Sequence, residues 1–126
     1  MVNHDANADV LAWLQDHPGG VHPDLADFVR ESGAALGARC EEPHGHASLV
    51  NDRGIVFAYA QGTHIVVFRI PDGGFHRELP FQGDAPRVPR GWVATDAWLG
   101  SRMDWNVRAG DAAVQERFFA AALGAV

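Results

Sequence analysis

Three histidines in the middle of the chain are the residues best suited to chemistry. His44 and His46 stand two positions apart, and His64 opens a later apolar segment. Residues two apart on an extended chain point to the same side, so His44 and His46 are expected to share a face. Neutral imidazoles bind zinc and related ions, and histidine titrates near neutral pH. The three residues therefore suggest either a divalent transition-metal site or a site of proton transfer.

Two alternating segments, 55–61 and 64–70, predict a β-hairpin beside these histidines. They are joined by Gly62-Thr63, and glycine at the first turn position is typical of a type II′ turn. This turn sets the register of the hairpin, with Gln61 facing His64. One face of the hairpin is then expected to be almost wholly apolar.

The segment before the hairpin, residues 46–50, is expected to add a strand through the turn 51–54. If this is a plain two-residue turn, His46 lies opposite Tyr59. Residues able to hold a metal or move protons would then gather at one end of one face: His44, His46, Tyr59, Gln61 and His64. Of these, His46, His64 and Tyr59 are the catalytic candidates, and His44, His46 and His64 are the candidate metal ligands.

A different turn would separate these side chains. Gly54 favours a type I turn with a G1 bulge, which shifts the pairing by one residue. That shift places His44 and His46 on the other face of the sheet, away from Tyr59. The histidines would then form a solvated or singly hydrogen-bonded rim.

An aspartate among tryptophans is another candidate for proton transfer. Residues 92–98 and 103–108 are predicted to pair as a hairpin, which sets Asp96 opposite Trp105. Because other tryptophans share that face, the carboxylate would be partly desolvated and suited to general-base catalysis. The alternative is an aspartate that accepts an indole N–H or caps a turn. The aromatic candidates for ligand binding are Trp92, Trp98 and Trp105.

Arg69 is a further candidate for ligand binding. In the predicted hairpin it stands across from Val56 on the shallower face, where a guanidinium could grip a carboxylate or phosphate. The alternative is an arginine whose stem lies along the sheet and whose head pairs with an acidic side chain.

The elements that position these residues alternate between helical and strand-like patterns. Helical spacing predicts helices over 8–17 and from Pro23 to about residue 36, and a terminal helix from Asp111 to Gly124. Asn7 is expected to be the N-cap of the first helix. Residues 71–91 are rich in proline and glycine and predict a long loop. The pattern predicts one α+β domain over residues 1–126, with an antiparallel sheet of about five strands. Two N-terminal helices and one C-terminal helix are expected to pack on one face of that sheet.

Composition excludes several classes of function. The chain has 126 residues, and its ten basic residues, all arginine, stand against 16 acidic ones. The absence of lysine excludes a Schiff-base lysine or a P-loop lysine, and a single cysteine, Cys40, excludes an internal disulfide framework. The arginines form no dense basic stripe, which argues against nucleic acid as a partner. Those that a nucleic-acid-binding role would use are Arg87, Arg90 and Arg102.

The acidic residues are concentrated at the start of the chain. Residues 1–31 contain six acidic side chains and one arginine, Arg30. No apolar run approaches the roughly 18–20 residues of a membrane helix, and the opening residues lack the pattern of a signal peptide. We therefore expect a soluble, cytoplasmic protein.

The order of these segments resembles that of the MmcQ/YjbR-like proteins and the N-terminal domain of TfoX regulators. The resemblance covers about residues 24–123 and rests on the loop Cys40-Glu-Glu-Pro-His-Gly45, the hairpin and the strand at 91–98. Where such sequences often have Gly-Lys before the first hairpin strand, this chain has Arg53-Gly54. The resemblance implies a small α+β domain, often of unassigned activity and sometimes described as DNA-binding.

These features favour an accessory or binding module that takes a protein partner or a second copy of itself. Two alternatives stay open. One is a small metal- or histidine-dependent enzyme that uses the His44, His46 and His64 end of the sheet, with Asp96 or Tyr59 as the proton-transfer group. The other is a nucleic-acid-binding regulator, which the acidic balance disfavours.

Overall fold

A computed structural model describes residues 5–17, 20–63, 65–70, 88–96 and 118–126, and only the backbone of Asp96. The predicted strand at 103–108, most of the predicted loop at 71–91 and the start of the terminal helix lie outside these residues. Two helices open the described chain, and residues 118–124 are helical near its end. The helices and strands follow in chain order: α1 (Ala8–Asp16), α2 (Pro23–Ala35), β1 (Arg39–Glu41), β2 (Ser48–Val50), β3 (Val56–Gln61), β4 (Ile65–Arg69) and β5 (Trp92–Asp96).

The five strands form one antiparallel sheet in the order β1-β2-β3-β4-β5. The predicted α+β class is therefore confirmed, with two N-terminal helices, one C-terminal helix and five strands. Strand β1 falls in a segment that the sequence assigned to a loop. A three-residue strand is too short to show an alternating pattern, and residues Pro43–Gly45 add a 3₁₀ turn directly after it.

Both faces of the sheet are covered by helices. One face packs against α2 and the C-terminal helix, with Leu25, Phe68 and Phe118 fully buried between them. The other face packs against α1, whose Val10 and Leu14 are also buried. The expectation of all three helices on one face holds for α2 and the C-terminal helix, whereas α1 covers the opposite side. A sheet that is covered on both faces needs apolar residues at successive strand positions. Strand β3 fits this requirement, because its residues are buried at successive positions.

The helix starts follow the local sequence. Pro23 occupies the first turn of α2, where its missing N–H costs nothing. The His22 side chain caps this helix by accepting a hydrogen bond from the Asp24 backbone N–H at 3.1 Å. Asn7 occupies the N-cap position of α1 as predicted, but its side chain makes no capping hydrogen bond. It is used in long-range contacts instead.

The predicted register of the β3–β4 hairpin is wrong by one residue. Gln61 pairs with Ile65 rather than with His64, so three residues connect the strands. Gly62 has a φ of 62°, and its carbonyl accepts a hydrogen bond from the His22 N–H at 2.9 Å. The slip exchanges the faces of one strand, so Tyr59 lies opposite Val67.

The pairing of β2 with β3 contains two irregularities, and each of them shifts the register by one residue. At the turn, the Asn51 N–H bonds to the Ile55 carbonyl and Gly54 has a φ of 79°, which is the G1-bulge geometry left open as the alternative. The register shifts again between Leu49 and Val50. The two shifts add up, so Ser48 rather than His46 lies opposite Tyr59. Because a shift of two residues preserves the face, His46 still lies on the side of Tyr59.

Candidate functional site

Four of the predicted site residues lie in one row beneath α1. The His46 and Tyr59 rings meet edge to face with centroids 5.9 Å apart, and the Tyr59 and Trp92 rings follow at 5.5 Å. The Arg69 guanidinium carbon lies 4.8 Å from the centroid of the Trp92 ring, within the range of a cation–π contact. We call these four residues the aromatic row.

His46 begins the row and makes two hydrogen bonds to backbone carbonyls. The side chain is 2% exposed. Its Nδ1 lies 2.9 Å from the Ala60 oxygen, and its Nε2 lies 2.8 Å from the His17 oxygen. His17 is the C-cap residue of α1, so this ring connects the end of the helix to β3. In this arrangement neither ring nitrogen has a free lone pair directed towards a metal ion.

The remaining candidate metal ligands are not brought to His46 in the described structure. His44 is exposed in the 3₁₀ turn with a φ of 51°, and His64 lies outside the described residues. Within the described ranges, no group of three His, Cys, Asp or Glu side chains is arranged to hold a metal ion. The proposed role of His44, His46 and His64 as metal ligands stays a prediction.

Tyr59 lies in the middle of the row and is fully buried. Burial raises the pKa of its hydroxyl well above the ordinary value, and the nearby Trp13 side chain offsets part of that effect. Neither the Tyr59 hydroxyl nor the Trp13 Nε1 reaches a hydrogen-bond partner of good geometry in the part of the chain that is described. A hydroxyl that holds its proton this strongly is poorly suited to act as a base near neutral pH.

Arg69 ends the row and is held by uncharged acceptors. Its Nε donates to the Val56 carbonyl at 2.8 Å, and one terminal nitrogen donates to the Asn7 side-chain oxygen at 3.1 Å. Burial lowers the pKa of the guanidinium, while the charge of Asp9 opposes that shift. Two of the guanidinium donors are therefore already used within the fold. The guanidinium is half-buried and lies over the Trp92 ring, which supports a packing role as much as a ligand-binding role.

The predicted carboxylate site is only partly within the described chain. Asp96 ends β5 opposite Ile65, whereas Trp92 begins that strand opposite Arg69. Four residues of extended chain separate them by about 13 Å. Trp98 and Trp105 lie outside the described residues, so the proposed environment of Asp96 stays a prediction.

Cys40 and Glu42 lie beside α2 rather than in the aromatic row. Cys40 is half-buried, and burial raises the pKa of its thiol, with the positive charge of Arg30 as the main opposing effect. Arg30 lies 2.6 Å from Asp27 and 3.7 Å from Glu42 in exposed ion pairs. The thiol is therefore less reactive than a free cysteine at neutral pH.

Sequence reasoning missed three residues around the row: Asn7, Trp13 and His17. Asn7 is 1% exposed, its Nδ2 donates to the Gly54 carbonyl at 2.8 Å, and its Oδ1 accepts from the Val56 N–H at 2.8 Å. The Trp13 and His17 rings stack with centroids 4.2 Å apart. Local sequence signals marked Asn7 only as a cap, because contacts spanning almost fifty residues depend on the tertiary fold.

No protein-family model, curated protein or solved structure matches this chain. The resemblance to MmcQ/YjbR-like proteins and TfoX domains therefore stays a prediction. Among the described helices, none is long and apolar enough to cross a membrane.

Proposed function

We propose that this chain is a non-enzymatic binding module that docks a protein partner through the exposed acidic face of α1. The observation that supports a non-enzymatic role is the hydrogen bonding of the His46 side chain. Both of its ring nitrogens are engaged by backbone carbonyls, and its neighbour Tyr59 is fully buried. A catalytic base needs a lone pair that reaches its substrate, whereas these side chains join α1 to the sheet.

The charge distribution favours α1 as the docking surface. Asp5, Asp9 and Asp16 are exposed on or just before this helix, and residues 5–17 contain no arginine. On α2, by contrast, the exposed acids share their surface with Arg30, which pairs with Asp27. On α1 the charge of Asp9 interacts with Arg69, so Asp5 and Asp16 carry the excess negative charge of this face. An excess of charge of one sign at a surface steers a partner of opposite charge and sets its orientation. We therefore propose a partner whose docking surface is rich in arginine or lysine.

Two variants with equal charge changes test this proposal. The Asp5→Asn/Asp16→Asn pair alters α1, and the Asp24→Asn/Glu31→Gln pair alters α2 by the same two charges. With a short oligoarginine peptide as the probe, calorimetry at low salt should show roughly threefold to tenfold weaker binding for the α1 pair. The α2 pair should bind nearly as well as the unmodified chain.

Three outcomes would contradict the proposal. Equal losses for both pairs would mean that only net charge matters. Binding of double-stranded DNA at low salt would favour the regulator alternative, since phosphate contacts dominate such binding. A concentration-dependent dimer abolished by the α1 pair would assign this face to a second copy of the chain.

The family resemblance and a cytoplasmic location belong to the same proposal. They are supported by the order of the segments between residues 24 and 123 and by the single cysteine, because stable disulfides are typical of oxidising compartments.

A further inference from the structure

Strand β1 (Arg39–Glu41) lies at one edge of the described sheet. Strand β2 pairs with one side of β1, and no other described strand pairs with it. An edge strand is a template on which another strand can add, and charged side chains are a common protection against such pairing. The three residues of β1 carry one charge of each sign, so this protection acts only against strands whose charges do not match.

The two charges of β1 make the strand complementary to a second copy of itself. Arg39 and Glu41 are two positions apart and share a face, with Nη2 of Arg39 lying 3.9 Å from Oε2 of Glu41. If two copies of β1 are placed antiparallel with Cys40 opposite Cys40, Arg39 of each copy faces Glu41 of the other. Opposite charges directly across an antiparallel pair stabilise it, whereas like charges there destabilise it. The charge pattern therefore favours this pairing.

Leu36 provides an apolar side chain next to the same edge. It is the C-cap residue of α2, and the chain enters β1 only three positions later. At 36% exposure, Leu36 is the one large apolar side chain left exposed among the described residues. Cys40 packs on the face of the sheet that α2 covers, so Arg39 and Glu41 belong to the opposite face. A second copy at this edge would cover apolar surface on one face and pair charges on the other.

We propose that two copies of this chain associate through β1, antiparallel and about a two-fold axis at Cys40. Such a contact uses the same surface on both copies, as is usual for dimers of identical chains, and it joins the two sheets into one. Three residues of strand and one leucine per copy cover less surface than a stable dimer buries. The dimer is therefore weak and forms at roughly 0.1–1 mM protein.

Charge-reversed variants of the whole chain, followed by analytical ultracentrifugation, test this proposal. The average mass of the unmodified chain should rise with concentration. Arg39→Glu leaves β1 with two acidic residues and Glu41→Arg leaves it with two basic ones, so each variant alone should dimerise roughly tenfold more weakly. An equimolar mixture of the two variants should regain the dimer, because an acidic strand then faces a basic one. Both variants keep a net negative charge, so general attraction between them does not produce this result.

Two further measurements locate the contact. Arg90→Glu makes the same charge change as Arg39→Glu, but next to β5 at the other edge of the described sheet, and it should leave dimerisation unchanged. In the unmodified chain, hydrogen exchange at β1 should slow as the protein concentration rises, whereas the Leu11 and Ala12 amides of α1 should exchange at a constant rate. This second measurement needs no substitution, so it tests the contact even if a charge-reversed variant does not fold.

The proposal is overturned if the unmodified chain stays monomeric up to about 1 mM, the upper end of the expected range. It is also overturned if the mixture of Arg39→Glu and Glu41→Arg dimerises no better than either variant alone. The Asp5→Asn/Asp16→Asn pair should dimerise like the unmodified chain, and loss of the dimer in that pair would place the contact on α1 instead. Weaker binding of the oligoarginine peptide by that pair, with an unchanged dimer, would show that the two surfaces act separately.

Discussion

Asn7 and Arg69 are 62 residues apart in the chain, and the Arg69 guanidinium donates a hydrogen bond to the Asn7 side-chain oxygen at 3.1 Å. The same oxygen accepts from the Val56 N–H, and the Asn7 amide donates to the Gly54 carbonyl. One buried side chain therefore connects the start of α1 to β4 and to the turn before β3. The aromatic row lies beneath α1 and depends on this connection, because the Asn7 side chain fixes where the helix begins.

Replacing Asn7 with alanine should lower the free energy of unfolding by about 2–4 kcal/mol. The substitution leaves the Val56 N–H and the Gly54 carbonyl without their partner, and each buried unsatisfied group costs about 1–3 kcal/mol. Urea denaturation of Asn7→Ala and of Asp5→Ala checks this. Asp5 is exposed, so its substitution should change stability by less than about 0.5 kcal/mol. A loss for Asn7→Ala no larger than for Asp5→Ala would show that these hydrogen bonds contribute little.

Local patterns in the sequence were sufficient to predict the elements but not all of their contacts. Proline at the start of α2 and the apolar composition of β3 and β4 act within a few residues, and the structure contains these elements close to the predicted bounds. Asn7 was identified as a cap from its position. Its role in joining three elements could not be predicted, because it depends on residues almost fifty positions away.

Register was the main source of error at the candidate site. A three-residue connection replaced the predicted two-residue turn, because the Gly62 backbone also bonds to His22, in the segment before α2. Between β2 and β3, the one-residue bulge at Gly54 would move His46 to the other face of the sheet, and a second shift near Val50 returns it to the face of Tyr59. His46 and Tyr59 are adjacent as predicted, but through a pairing that differs by two residues. Bulges depend on packing across the whole sheet, and a single sequence does not specify their number.

Gly33→Ala should destabilise the protein although alanine favours helices. A Cβ at position 33 would collide with the Cδ2 of Leu49, a fully buried side chain of β2. Alanine in place of a helical glycine gains up to about 1 kcal/mol, whereas overpacking a core costs about 1–3 kcal/mol. We expect a net loss of about 1 kcal/mol, measured by thermal or urea denaturation.

A double-mutant cycle checks the cause of the Gly33 effect. Leu49→Val shortens the side chain that would collide, so Gly33→Ala should cost less in that background. Gly20→Ala serves as the control, because nothing lies within 4 Å of a Cβ built there. Identical costs of Gly33→Ala in both backgrounds would show that the collision with Leu49 is not the reason.

Cys40 should react more slowly with alkylating reagents in the folded chain than in the unfolded chain. Burial raises the pKa of its thiol, and the thiolate is the reactive form. Cys40 is the only cysteine, so mass spectrometry after timed iodoacetamide treatment at mildly alkaline pH measures this site alone. Folded and urea-unfolded samples are compared at the same pH.

Arg30→Gln should slow that alkylation further, because the positive charge of Arg30 opposes the rise in the Cys40 pKa. Arg53→Gln makes the same charge change at an exposed residue in the turn before β3 and should leave the rate unaltered. Faster reaction in Arg30→Gln would mean that access to the thiol, rather than the charge beside it, controls the rate.

Tyr59 should keep its proton in the folded protein well beyond the pH at which free tyrosine ionises, about 10. Burial raises the pKa of this hydroxyl, so above that pH the folded chain binds a proton that the unfolded chain has released. The stabilising contribution is complete below about pH 10 and is lost as the pH rises further, with a limiting slope of about 1.4 kcal/mol per pH unit.

Tyr59 is the only tyrosine, so ultraviolet difference absorbance follows its ionisation directly and should coincide with unfolding measured by circular dichroism. Tyr59→Phe removes a hydroxyl that lacks a partner in the described structure, and it should be as stable as the unmodified chain at neutral pH and lose this part of the alkaline dependence. Tyrosinate absorbance that appears near pH 10 while the chain stays folded would contradict the burial of this side chain beneath α1.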